Sequence, residues 1–116
     1  MKEMVINIFN TVGNAYCVDV EDGNRVYELI KKALDDKNYV KLNFQNVEVL
    51  TSAFLNTAVG QLYRDFDEQT VKKYLSVQNM LPEDQVLLKR VTSTAKFYYK
   101  NPDMMQESIN EILEED

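Results

Sequence analysis

The chain has no histidine, one cysteine, three glycines and two prolines in 116 residues. Without histidine it lacks the commonest general base near neutral pH and the commonest metal ligand, so neither an enzyme nor a metal site is expected. Its single thiol, Cys17, cannot form an internal disulfide; a reducing compartment fits, and the residue reads as a buried structural thiol. Gly13, Gly23 and Gly60 stand alone, and no Lys-Ser or Lys-Thr follows any of them at the spacing of a phosphate-binding loop. Apolar runs last only a few residues and no basic-then-apolar leader precedes Met4, so no membrane span or secretory signal is expected and the cytoplasm is the expected location. Positive charge is also short: 13 Lys and Arg against 19 Asp and Glu leave a net charge of −6. That balance opposes binding to nucleic acid or to an anionic membrane, because both gain affinity from surplus cations.

What is present suffices for one core, and residues 1–116 read as a single domain. Val5, Ile6, Ile8 and Phe9 suggest an opening strand followed by a turn through Asn10 to Asn14, and Ala15 to Val20 a second strand. Glu21-Asp22-Gly23-Asn24 resembles the start of a helix running to about Lys37, with Val26, Tyr27, Ile30, Ala33 and Leu34 on its inner face. From Tyr39 to Gln45 the apolar residues alternate, as in a strand, and Leu75 to Gln78 repeats the pattern. Proline and acids at Pro82, Glu83 and Asp84 mark another helix start, with Leu87, Val91, Ala95 and Tyr98 facing inward. Residues 102–116 give a last amphipathic helix carrying Met104, Met105, Ile109, Ile112 and Leu113. The expected architecture is therefore α/β: a mixed, mostly parallel sheet of about four strands, covered by helices, with an extra C-terminal helix.

The stretch Val47 to Phe66 organises the rest. Phe54, Leu55, Ala58, Val59, Leu62 and Phe66 recur at three- and four-residue steps, the spacing of one buried helix face. At about 100° per residue, Ser52, Asn56, Gly60 and Tyr63 fall together along one edge of that stripe, with the Ser52 hydroxyl exposed. On local sequence alone Ser52 is a helix cap. A cap is compatible with a switch, since a phosphate added at a helix start meets free amides and the positive end of the dipole. Elsewhere the parts for chemistry are missing: the pairs Asp35-Asp36 and Glu114-Glu115 sit in polar, solvated settings, where nothing separates two pKa values. Lys89, Arg90, Lys96 and Lys100, close to Phe97, Tyr98 and Tyr99, read as a solvated basic face.

Leu42 to Leu62, L-N-F-Q-N-V-E-V-L-T-S-A-F-L-N-T-A-V-G-Q-L, resembles the strand-to-helix segment of STAS domains, the anti-sigma-factor antagonist and sulfate-transporter fold. It is most similar to the uncharacterised bacterial STAS-like group, in Ser52-Ala53-Phe54-Leu55, in Gly60-Gln61-Leu62 and, upstream, in Asp22-Gly23-Asn24-Arg25-Val26. In the antagonists this junction reads Asp-Ser-Ser-Gly, and a partner kinase that is also the anti-sigma factor phosphorylates the first serine. Overlaid without a gap, Ser52 takes that position, while Thr51 replaces the acid, Ala53 the second serine and Phe54 the glycine.

The resemblance implies a regulatory protein-binding module. Thr51 and Ser52 would be the candidate phosphoacceptors, and Asp22, Gly23, Asn24, Asn56, Gly60 and Tyr63 the partner-binding residues. The expected partner is an ATP-binding kinase or anti-sigma-like protein; no cofactor is expected. Two other readings stand beside it. One is a scaffolding subunit of a bacterial assembly that uses the 102–116 helix as a homodimer or partner contact. The other is a small-ligand or nucleotide binder with an anion site at Ser52.

Overall fold

The structure is a computed structural model that describes residues 2–100. Strand β1 (Glu3–Asn7) is followed at once by a short helix α1 (Ile8–Val12), then β2 (Tyr16–Cys17) and the long helix α2 (Val20–Asp35). Strands β3 (Tyr39–Asn43) and β4 (Val49–Leu50) lead into α3 (Ser52–Leu55), a π-helical turn over Asn56–Gly60, and α4 (Leu62–Asp65). Helix α5 (Glu68–Tyr74), strand β5 (Leu75–Gln78) and helix α6 (Pro82–Lys100) complete the described chain. The amphipathic segment 102–116 lies outside the described residues.

The strands pair in parallel as a three-stranded sheet in the order β1-β3-β5 and a two-stranded ribbon of β2 with β4. Side chains alternate sides along a strand, so the central strand β3 turns Val40 and Leu42 into the core, opposite Leu75 and Val77 of β5. Tyr39, Lys41 and Asn43 take the other face. Parallel strands need a crossover, and helices provide it: α2 separates β1 from β3, and the helices from Ser52 to Tyr74 separate β3 from β5. The class is α/β with parallel pairing throughout the described residues, as the alternation of patterns implies.

Phe54, Ile8, Ile30, Leu42, Leu55 and Leu62 are the largest fully buried side chains, so the central stretch supplies half of the list and meets α2 and the sheet at the middle of the molecule. α2 buries the face expected of it, Val26, Tyr27, Ile30, Ala33 and Leu34, and also Gly23. A methyl at Gly23 would stand 2.9 Å from the Phe54 carbonyl oxygen and 2.9 Å from Thr57 Cβ, so the missing side chain is what lets the two helices approach.

Several boundaries differ from the pattern-based reading. The chain does not turn after Phe9: Asn7 accepts a hydrogen bond from the Asn10 amide at 2.9 Å and starts α1, which Gly13 ends in the left-handed conformation at φ 93°. The second strand shrinks to Tyr16–Cys17 because α2 already begins at Val20, behind Asp19. Asp22, Gly23 and Asn24 are thus inside the first turns of α2 instead of forming its approach. Phe66 leaves the helix in extended conformation and still packs on the core, because Asp67 caps the next helix through the Thr70 amide at 2.7 Å.

Candidate functional site

The start of the central helix is fixed by its capping residue, and that residue is Thr51. Its hydroxyl accepts from the Phe54 amide at 3.2 Å and donates to the Val18 carbonyl at 3.3 Å, while its own amide donates to the Cys17 carbonyl at 3.2 Å. These bonds tie the helix start to the β2–α2 connection. Ser52, expected to be the cap, is the first helical residue and leaves its hydroxyl exposed without a capping bond. Exposure is as the periodicity implied; the capping role sits one residue earlier, because Thr51 is the residue with extended φ/ψ that a cap requires.

Around Ser52 the ribbon of β2 and β4 builds a surface that periodicity could not reveal. Tyr16 and Val49 are direct cross-strand partners, and the Glu48 amide donates to the Ala15 carbonyl at 2.9 Å, so residues 15–20 and 48–52 form one surface. On it Tyr16 is 55% exposed and Val49 40%, and Val20, the first residue of α2, is 52% exposed. Strands of two residues are too short to show alternation, so the pairing of Tyr16 with Val49 has no periodic signal in the sequence. Asp19, Glu21 and Glu48, next to these residues in the chain, are exposed.

The other expected contact residues are distributed differently. Asn56 is exposed on the central helix. Gly60 is buried: the π turn, marked by the Gln61 amide bonding to the Asn56 carbonyl at 3.1 Å, buries four consecutive residues from Thr57 to Gly60. Ala95 of α6 lies 3.7 Å from where a Gly60 side chain would begin. Tyr63 is half-buried beneath α6, with the Lys96 ammonium 5.7 Å from its ring centre and that ammonium 3.2 Å from Glu68. Burial, aided by nearby Glu68, raises the Tyr63 hydroxyl above its ordinary pKa. α6 therefore covers the edge that a uniform helix would have left open at Gly60 and Tyr63.

On α2, Gly23 is interior, Asp22 is half-buried in an ion pair with Arg25 at 3.6 Å, and Asn24 accepts from the Gln61 side chain at 3.1 Å. Gly23 and Asn24 thus meet the central helix, while the Asp22–Arg25 pair lies within α2. At its far end, Tyr27 donates to Asp65, and Arg64 reaches both the tyrosine oxygen at 3.0 Å and the Asp65 carboxylate. The Arg64 bond holds the Asp65 carboxyl below its ordinary pKa.

Cys17 is fully buried, and desolvation, with a smaller push from Asp22, raises its thiol to about 11. A thiol so protonated is a poor nucleophile. Among the described residues no group of three or more Cys, Asp or Glu is placed to hold a metal ion, and no helix is long and apolar enough to cross a membrane. Recesses between α5 and α6, lined by Tyr63, Phe66, Glu68, Lys96 and Tyr99 or by Val59, Val71, Val77 and Leu88, do not include Thr51 or Ser52. Ser52 lies exposed at the start of α3.

Comparison with known proteins adds one positive finding. No curated protein and no solved structure matches the chain. A family described as "STAS-like domain of unknown function (DUF4325)" matches residues 22–85, from the first turn of α2 through both crossovers to the first turn of α6, with the Thr51–Ser52 junction inside the match. A parallel α/β fold with a capped helix start after a short strand, and a family match over more than half of the chain, lead to one conclusion: this chain belongs to the STAS-like domain family.

Proposed function

We propose that this STAS-like domain is a regulatory protein-binding module that docks its partner through the Thr51–Ser52 helix start. The observation that carries the reading is the exposed Ser52 at the helix start after β4, with the cross-strand pair Tyr16 and Val49, and Val20 at the start of α2, left in water. Clustered apolar exposure of this kind is the ordinary mark of a protein contact. The docking surface lies on the β2–β4 side of Ser52; on the other side Asn56 contributes, and Gly60 and Tyr63 act by seating α6.

The partner in this reading is an ATP-binding kinase or anti-sigma-like protein, as the family resemblance implies, in the cytoplasm of a bacterial cell. The module itself performs no catalysis and needs no cofactor. Phosphorylation of Ser52 would place about two negative charges inside the apolar contact. The helix start tolerates them, since its amides and dipole favour an anion, while their desolvation on docking opposes binding. Thr51 is the poorer acceptor, its hydroxyl being engaged on both sides.

Affinity capture from lysate of the source cell, with wild-type, Ser52→Ala and Ser52→Asp baits, tests the proposal. One partner retained by wild type and alanine and lost by aspartate, with phosphate found on Ser52 of the native chain, is the expected result. A partner indifferent to both substitutions and to Tyr16→Ala would overturn the assignment of this face.

A further inference from the structure

A second exposed apolar surface lies on α6. Val86 is 60% exposed and Phe97 46% exposed. They are eleven residues apart, three turns of helix, and so point the same way. Arg90 and Ser93 fall between them on that face, with Lys89 and Lys100 along one flank, and all four are exposed. The stripe faces away from the body of the protein, because Val91 and Ala95 on the opposite side are the residues buried against it. From Gln85 to Lys100 α6 carries four cations and no acid, although the whole chain has a net charge of −6.

The two surfaces are complementary. Beside the exposed Tyr16, Val20 and Val49 in the chain stand the exposed acids Asp19, Glu21 and Glu48, and the nearest cation in sequence, Arg25, is already paired with Asp22. On α6 the exposed Val86 and Phe97 are flanked by Lys89, Arg90 and Lys100, three exposed cations against one exposed acid, Glu83, in the first turn. Each combines a few apolar side chains with a surplus of one sign, and the signs are opposite. Ser93, small and central on the α6 stripe, leaves room for the Tyr16 ring to approach between Val86 and Phe97.

We infer that the partner for the α6 stripe is the acidic face of a second copy of this chain. The contact joins two different surfaces, so it is head-to-tail: the dimer as a whole keeps one free face of each kind, and association continues past it. It uses the face assigned above to a regulatory partner, but it stands without that assignment, because it requires the chain alone and no partner. Regulatory docking would then compete with self-association for one surface.

Sedimentation velocity on the purified chain tests the inference. Wild type should show an average mass that climbs with concentration beyond a dimer. Raising the salt from 50 mM to 500 mM should weaken the association by about tenfold, since charge attraction across a solvated rim is screened. Lys89→Glu with Arg90→Glu removes one face, and Tyr16→Asp with Val49→Asp removes the other, so that the two altered faces are both acidic and repel; all four positions are exposed, and circular dichroism checks that each double variant is folded. Each variant alone should be monomeric, and the two mixed in equal amounts should form a dimer and nothing larger, through the one intact pair of faces. A monomeric wild type, a wild type that stops at a dimer, a variant that still associates alone, or a mixture that stays monomeric would each overturn the proposal.

Discussion

Thr51 and Ser52 are adjacent hydroxyl residues with opposite duties, and stability measurements should separate them. Thr51 caps the helix and bridges to Val18, so Thr51→Ala should cost about 1 kcal/mol, as loss of a helix cap commonly does. Ser52→Ala removes an exposed hydroxyl with no capping bond and should stay within about 0.5 kcal/mol of wild type. Urea denaturation of the two variants decides the matter, and a larger loss at Ser52 would return the cap to it. Sequence made the pair visible and could not assign the roles, because which of two neighbouring hydroxyls caps depends on the backbone turn where β4 ends. Cys17 gives a pH prediction. Its folded thiol ionises near 11 against 9.0 ordinarily, so the folded state holds the proton more tightly and stability falls as pH rises from about 9 to 11. In Cys17→Ala that part of the decline should vanish, as seen in denaturation curves at pH 8 and pH 10.5.

At the scale of elements, the contact of α2 with the central helix sets the shape of the site. Gly23→Ala would drive a methyl into the Phe54 carbonyl and Thr57, and should cost about 1 to 3 kcal/mol, the range of overpacking in a tight contact, measured by chemical denaturation. The other end of the same contact is held by Tyr27, Arg64 and Asp65. Tyr27→Phe should cost about 1 kcal/mol at neutral pH. Asp65 is held below its ordinary 3.8, so its contribution is present above that value and is lost as pH falls; the gap between Tyr27→Phe and wild type should narrow in acid. Long elements were legible because their apolar period is repeated: α2, β3, β5 and the start of α6 follow the pattern. Short ones were not. α1 rests on Asn7 and Gly13 caps around five residues, and β2 and β4 on hydrogen bonds between chain segments about thirty residues apart. The π turn departs from the 100° step that would set Gly60 and Tyr63 on an open edge.

For the molecule as a whole, the fold class could be read from the alternation of strand and helix patterns, and the family from the residues around Ser52. The surface of Tyr16 and Val49 could not, since the two come together only through tertiary pairing. The proposed function puts a regulatory partner on this face, with Ser52 on it. Site-specific photo-crosslinking in the source cell tests that claim most directly, with the reactive group placed in turn at Tyr16, Val49 and Ser52, and as a control at Ser76, which is exposed on β5. An adduct with one and the same protein, other than the chain itself, is expected from the first three positions and none from Ser76. An adduct of equal yield from Ser76, with none from Tyr16, Val49 or Ser52, would contradict it.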